Sequence, residues 1–240
     1  LIIAIEDNKP EAIAVMKKAL IKEKEIEMRI LPARYPQGGE KQLIQAILGI
    51  EVPSGGLPMD VNVLVQNTAT AFAIYEAVFF DKPLIERVVT VTGHGIKNPG
   101  NYIVKIGTKL KDILSFVGIS NNSSSIIIMG GPMMGLPVIN LDTPVIKSTS
   151  GILILDDIKF KKEFPCIRCA RCIEYCPIGL MPTEIASAYT KKNIDSFKRL
   201  HVMDCIECGC CSYICPAGIP LVQYLKLSKW EIRKNAGKKS

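Results

Sequence analysis

Three observations predict an α/β domain followed by a small β-rich module and a helical metal-binding domain. Strand-like apolar runs alternate with helix-periodic stretches over the first 80 residues, the pattern breaks into short β-rich pieces from Arg87, and all nine cysteines fall between Cys166 and Cys215. An apolar fraction of 48% in 240 residues supports a real core, so the chain is read as folded and globular.

Leu1 to Ile5 is a buried-strand run with neither the basic start nor the small-residue cleavage site of a signal peptide, and the first residue is expected to fall inside a domain. Lys9 to Ile21 follows as a helix with Ile13, Met16 and Leu20 on one face; Asn8, Pro10 and Glu11 supply its start. A second apolar run spans Ile26 to Leu31, then comes the loop Pro32 to Gly39. Helix Glu40 to Gly49 carries Leu43, Ile44, Ile47 and Leu48 on one face. Val61 to Val65 reads as a short strand, and Thr68 as the cap of a helix running through Phe80. Repeated strand-helix units indicate an α/β sandwich, here its later part.

Val88 to Thr92, the turn Lys97 to Asn101, Tyr102 to Ile106 and a short helix near Leu110 to Val117 make a separate module. Ile126 to Met129 and Gly151 to Leu155 are strand-like and join either the first domain or the third, with Gly130-Gly131-Pro132 a turn between them. Lys159 to Glu163 is a charged linker. The apolar stretches Val61 to Phe80 and Ile126 to Ile139 are too interrupted or too short to span a membrane.

Two cysteine runs share one spacing: Cys166-x2-Cys169-x2-Cys172-x3-Cys176-Pro177 and Cys205-x2-Cys208-x2-Cys211-x3-Cys215-Pro216. In this bacterial ferredoxin pattern, three thiolates wrap one face of a four-iron, four-sulfur cubane and the fourth ligates the neighbouring cluster. Cys166, Cys169, Cys172 and Cys215 are therefore expected to hold one [4Fe-4S] cluster, and Cys205, Cys208, Cys211 and Cys176 a second. Zinc also uses paired Cys-x2-Cys units, but it does not require the third cysteine, the three-residue gap and the following proline twice over. Cys210 lies out of register and is read as a small buried neighbour. Confinement of the cysteines to one region argues against a disulfide framework and for metal in a reducing compartment.

Pro182 opens a helix with Met181, Ile185, Ala188 and Tyr189 on one face, and Ile219 to Trp230 forms another, which favours a helical ferredoxin domain. With every iron position filled by cysteine, such a pair relays electrons and leaves no open catalytic site. The formal charge of +7 counts the cysteines as neutral; two clusters of about −2 each would lower it to about +3, so nucleic acid is not an expected partner. The remaining excess, at Lys226, Lys229, Arg233, Lys234, Lys238 and Lys239, reads as a solvated or partner-docking tail. His94 and His201 lack metal-ligand spacing, and Asp156-Asp157 reads as a solvated chain end.

Four further segments, together with the cysteine runs, resemble the RnfC family, the C subunits of Rnf complexes: Ile5-Glu6-Asp7-Asn8-Lys9-Pro10-Glu11-Ala12, Tyr35-Pro36-Gln37-Gly38-Gly39-Glu40-Lys41-Gln42-Leu43, Arg87-Val88-Val89-Thr90-Val91-Thr92-Gly93 and Met129-Gly130-Gly131-Pro132-Met133-Met134-Gly135. The resemblance implies a peripheral subunit on the cytoplasmic face of a bacterial or archaeal inner membrane. Its complex would couple electron transfer between ferredoxin and NAD to sodium or proton movement, with the other Rnf subunits as partners and ferredoxin reached indirectly. The family is similar to the flavin-bearing, NADH-oxidising subunit of respiratory complex I.

By the same resemblance, residues 1–86 are the later part of a Rossmann-like domain for FMN and NAD(H), 87–120 a β-grasp module of the SLBB type, 121–158 return strands and linker, and 159–240 the ferredoxin domain. The family's glycine-rich flavin loop lies upstream of Leu1, so this stretch alone is not expected to react with NADH. Glu6, Asp7, Asn8 and Lys9 after the first strand, and Gly38, Gly39, Glu40 and Lys41 at a helix start, offer amides and polar groups to a phosphate or flavin, or else form a plain turn and helix start. Two competing readings are a docking scaffold whose clusters lie off the electron path and a flavin and iron-sulfur subunit of another NADH-linked oxidoreductase. Sodium-pumping quinone reductases are related in fold but lack these cysteine runs.

Overall fold

Aliphatic residues on either side of the first helix place two strands side by side. β1 (Ile2–Glu6) pairs in parallel with β2 (Glu27–Leu31), from Ile2 opposite Glu27 to Glu6 opposite Leu31. A parallel pair needs a crossover, here α1 (Pro10–Ala19) and a 3-10 turn, Leu20–Lys22. Ile13, Met16 and Leu20 are half-buried while their neighbours are exposed, as the periodicity expects. The start differs by one residue: Lys9 occupies the cap position and no side chain caps the helix, so Pro10 with its preset φ marks the first turn rather than Asn8. The computed structural model describes residues 1–119, 126–156 and 162–236. Asp157, the linker from Lys159 to residue 161, and Lys238 and Lys239 lie outside them.

The chain divides into two compact units, Leu1–Val65 and Gln66–Ser240. In the first, α2 (Glu40–Leu48) begins at extended Gly39 and ends at Gly49, whose left-handed backbone (φ 69°) lets its N–H reach the Gln45 carbonyl. Ile44 on this helix is buried. The expected strand Val61 to Val65 does not form: Pro58–Val61 is a 3-10 turn, and Asn62 follows in the left-handed region (φ 57°), which ends any extended run.

The second unit opens with α3 (Thr68–Phe80), capped by Asn67, whose Oδ1 accepts from the Ala69 N–H at 2.9 Å, one residue before the expected cap. A five-stranded sheet follows in the order β4-β3-β7-β5-β6, built from β3 (Glu86–Thr92), β4 (Gly100–Lys105), β5 (Ile126–Met129), β6 (Leu136–Pro137) and β7 (Gly151–Leu155). The later strands thus join the β-rich module: β7 runs parallel to β3, and β5 antiparallel to β7. α4 (Leu110–Val117) supplies Leu110, Ile113, Leu114 and Val117, spaced for one helix face, against Val89, Val91, Ile152 and Ile154. On β3 the alternation is strict, with Val89 and Val91 buried and Val88 exposed. Gly93 (φ 118°) turns the chain against β7; a Cβ there would collide with the Ile154 carbonyl oxygen, so only glycine fits.

The cysteine region is all helix and loop: α5 (Arg171–Glu174), α6 (Pro182–Thr190), α7 (Ile194–Arg199), α8 (Cys210–Ile214) and α9 (Leu221–Ala236). On α6, Ile185 and Ala188 are buried as expected, but Met181 precedes the helix and is exposed, and Ala186 is buried with them. α7 is an extra helix that brings Phe197 into a small core with Leu180, Ile185, Val202 and Leu225.

Candidate metal centres and flavin-side loops

The two cysteine runs fold as near copies, offset by 39 residues in sequence. In each, the second residue after the first cysteine is left-handed: Arg168 (φ 56°) in one copy, Glu207 (φ 58°) in the other. Two positions later Ala170 (φ 60°) and Gly209 (φ 84°) repeat the conformation, and Gly179 (φ 69°) and Gly218 (φ 66°) repeat it after the Cys-Pro pair. Matching short helices, α5 and α8, carry the third cysteine of each run, and Pro182 and Leu221 begin the following long helices at the same offset. Left-handed turns reverse the chain within a few residues, which is how a seven-residue loop turns three thiols inward.

The thiols sort into two sets. Cys166, Cys169, Cys172 and Cys215 line one cavity of about 580 Å³, together with Ile173, Thr183 and Ala217. Cys176, Cys205, Cys208 and Cys211 line a second, narrower cavity walled by Pro177, Ile178, Leu180 and Val222. The last cysteine of each run therefore stands with the first three of the other. A single zinc ion needs its thiolates about 2.3 Å from one point. Four thiols spread around a cavity fit a polynuclear iron-sulfur group instead.

Backbone amides are aimed at the sulfurs. The N–H of Arg168 donates to Cys166 Sγ at 3.4 Å, that of Leu180 to Cys176 Sγ at 3.3 Å, and that of Glu207 to Cys205 Sγ at 3.3 Å. Such bonds favour the thiolate form that metal requires. Burial acts the other way: it pushes the Cys211 thiol up to about 12, raises Cys205, and is the first cause lifting Cys210 to about 11. The cluster's own positive iron would have to offset that desolvation. Exposure differs between the sets, with Cys166 and Cys169 exposed but Cys205 half-buried and Cys208 buried. Cys210 is half-buried and lines the second cavity beside the four thiols of that set.

Sequence reading missed two neighbours of the second set. Lys229, expected in a solvated tail, is only 7% exposed; its Nζ donates to the Cys205 carbonyl at 3.0 Å and pairs with Glu207 Oε1 at 2.6 Å. The α9 periodicity alone could have hinted at this, since Lys229 follows Leu221 and Leu225 at four-residue intervals. The turn at Gly130 to Gly135 also reaches the second run, placing the Met133 carbonyl oxygen 2.9 Å from where a Gly209 Cβ would stand. Arg233 and Lys234 are exposed as expected. His94 is exposed, and His201 Nδ1 lies 3.9 Å from Asp204.

In the first unit, the Glu6 to Lys9 turn and the loop before Glu40 both leave the carboxyl ends of the parallel strands, the edge at which open α/β sheets bind ligands. Asp7 Oδ1 accepts from the Ala33 N–H at 3.0 Å, joining the Glu6 to Lys9 turn to the start of the second loop. Asn8 and Lys9 are exposed, and the Lys9 N–H donates to the Glu6 carbonyl. Gly38, Gly39, Glu40 and Lys41 stand at the N-terminus of α2; a Cβ on Gly38 would meet nothing within 4 Å, whereas one on Gly39 would meet the Gln42 side chain. Beside them, Gln37 Oε1 is buried without a hydrogen-bond partner among the described residues. An orphaned buried acceptor at a helix start fits a bound group there, and its position next to the glycine pair is the signal that could have singled it out.

Comparison with known proteins follows the same three-part order. Residues 1–76 match the Nuo51 FMN-binding domain, 88–137 the SLBB domain and 158–216 the 4Fe-4S dicluster domain. Proteins named as the C subunit of an ion-translocating oxidoreductase complex match nearly the whole chain: 43% identity in Pasteurella multocida (98% of this chain, 29% of that protein), 45% in Haemophilus influenzae strain PittEE (99% and 37%) and 47% in Edwardsiella ictaluri (97% and 30%). Over this length the chain matches proteins of the RnfC family. It spans about a third of the length of these RnfC relatives. A solved structure, an NAD+-reducing [NiFe]-hydrogenase in the H2-reduced state, aligns with a TM-score of 0.54 over 96% of this chain and 46% of that one; at 14% identity it shows the fold alone. The chain is thus an FMN-binding-type α/β part, an SLBB part and a helical dicluster part in sequence.

Proposed function

We propose that this chain carries electrons within a membrane-bound, ion-translocating ferredoxin:NAD oxidoreductase. It holds one [4Fe-4S] cluster on Cys166, Cys169, Cys172 and Cys215 and another on Cys205, Cys208, Cys211 and Cys176. The observation that supports this reading is the exchange of the fourth thiol, Cys215 joining the first set and Cys176 the second. When bound, the clusters supply one-electron steps, and FMN splits the electron pair of NAD(H). The chain's own contribution is positional: amides at Arg168, Leu180 and Glu207 stabilise the thiolates, and apolar walls keep water from the second set. Asp7, Gln37 and the Gly38-Gly39 helix start face the flavin or nucleotide, with Glu6, Asn8, Lys9, Glu40 and Lys41 beside them.

No helix among the described residues is long and apolar enough to cross a membrane. Attachment at the cytoplasmic face of the membrane then comes from the other subunits of the complex. Iron and acid-labile sulfide analysis with EPR of the reduced chain tests the assignment: about eight of each per chain are expected, and stoichiometric zinc in their place overturns it. In a complex that carries FMN, NADH should bleach the cluster absorbance on rapid mixing. Bleaching with an artificial reductant alone would break the proposed link to NAD(H).

A further inference from the structure

We propose that Lys229 and Glu207 form a partly buried charge pair whose two members act in opposite directions on the reduction midpoint of the second cluster. The inference rests on the second thiol set holding a cluster. Lys229 Nζ sits 3.0 Å from the carbonyl oxygen of Cys205, a residue of that set, and 2.6 Å from Oε1 of Glu207, which lies between Cys205 and Cys208. The lysine side chain is 9% exposed and that of Glu207 33%, so the pair is screened far less than a surface ion pair.

The first set has no such pair among the described residues. At the matching left-handed position it carries Arg168, which is exposed, and Thr190 stands at the offset that would correspond to Lys229. Thr190 Oγ1 is turned instead to the Ser187 carbonyl at 2.9 Å. Two loops with the same backbone therefore differ in the fixed charge built into them.

Reduction adds one electron, and so one negative charge, to a thiolate-held cluster. A neighbouring ammonium favours that added charge and a neighbouring carboxylate opposes it, most strongly where water is excluded. Glu207 moderates Lys229 and holds it in place; Lys229 in turn keeps the carboxylate from acting alone on the cluster. The two residues are positioning residues, touching the loop and not the iron. Their removal should move one midpoint in opposite directions, an effect that loss of a mere mechanical brace does not produce.

The experiment uses the whole chain, purified anaerobically, with its iron and sulfide measured first. Mediated dithionite titration followed by EPR then gives the two midpoints for the unaltered chain and for Lys229→Gln, Glu207→Gln, the double variant and Lys229→Arg. Lys229→Gln is expected to lower one midpoint and Glu207→Gln to raise the same one, each by about a tenfold change in the reduced-to-oxidised ratio at fixed potential, or about 59 mV for one electron. The double variant should return toward the starting value, Lys229→Arg should stay near it, and the other midpoint should not move. Full cluster content with both single variants shifted in the same direction, or neither shifted, overturns the inference. If Lys229→Gln sheds its cluster, an unmoved midpoint in Glu207→Gln is sufficient to overturn it. Absence of iron from the unaltered chain refutes the cluster assignment itself.

Discussion

Cys176 and Cys215 occupy equivalent places in two copies of one backbone, and each lines the cavity formed by the other copy's three cysteines. The chain is therefore interlaced: neither run supplies four thiols to its own loop. Replacing Cys176 by Ala should take a ligand from Cys205, Cys208 and Cys211 and leave the set of its own run complete. Iron and sulfide are expected to fall from about eight to about four per chain, with Cys215→Ala removing the other half. EPR spectra of the two variants should add up to that of the unaltered chain.

Gly209 combines a left-handed backbone (φ 84°) with close approach of the Met133 carbonyl. Gly209→Ala should cost about 1–3 kcal/mol, the strain of a non-glycine residue in that region plus displacement of the Met133 turn. Ala170 sits at the equivalent position (φ 60°), so Ala170→Gly should change stability by less than about 1 kcal/mol. Anaerobic thermal midpoints of the two variants check the contrast.

Leu114 is 3% exposed at the centre of the α4 face. Leu114→Ala should destabilise the sheet module by about 2–5 kcal/mol through lost transfer energy and a cavity. Cluster absorbance at temperatures below the transition should be unaffected, since none of the thiols packs in that core.

The cysteine region has two small cores, one of which includes Cys172, Cys211 and Cys215 themselves. Cores of that size depend on bound metal for much of their stability. Chelation of the iron should strip hydrogen-exchange protection from the amides around Ile185 and Phe197 while those of Val89 and Val91 stay protected. Equal loss in both regions would contradict the two-core description.

Spacing alone makes the thiol sets legible in the sequence, because ligand geometry forces a local pattern of cysteines. The α4 and α1 faces are legible for a similar reason: periodicity is local. Partnership across the chain is not. Nothing in Gly151 to Leu155 says that it pairs in parallel with β3, a choice made by long-range sheet topology. Val61 to Val65 has strand-like composition, but the left-handed Asn62 and the adjacent 3-10 turn override it. Lys229 reads as one lysine among several in a basic tail, and only a glutamate 22 residues earlier shows why it is buried. For Gln37 the neighbouring glycine pair marks the place in sequence, but its burial without a partner is a property of packing.

The rest of the Met133 carbonyl against Gly209 gives the turn from Gly130 to Gly135 a second allegiance. By loop-closure entropy, adding or removing a residue in a surface turn is nearly free. Here the turn rests against a cysteine-bearing loop, so its length is tied to a segment about 75 residues away in the chain. Insertions that any other hairpin of this sheet would accept become, at this one, changes to the housing of an electron.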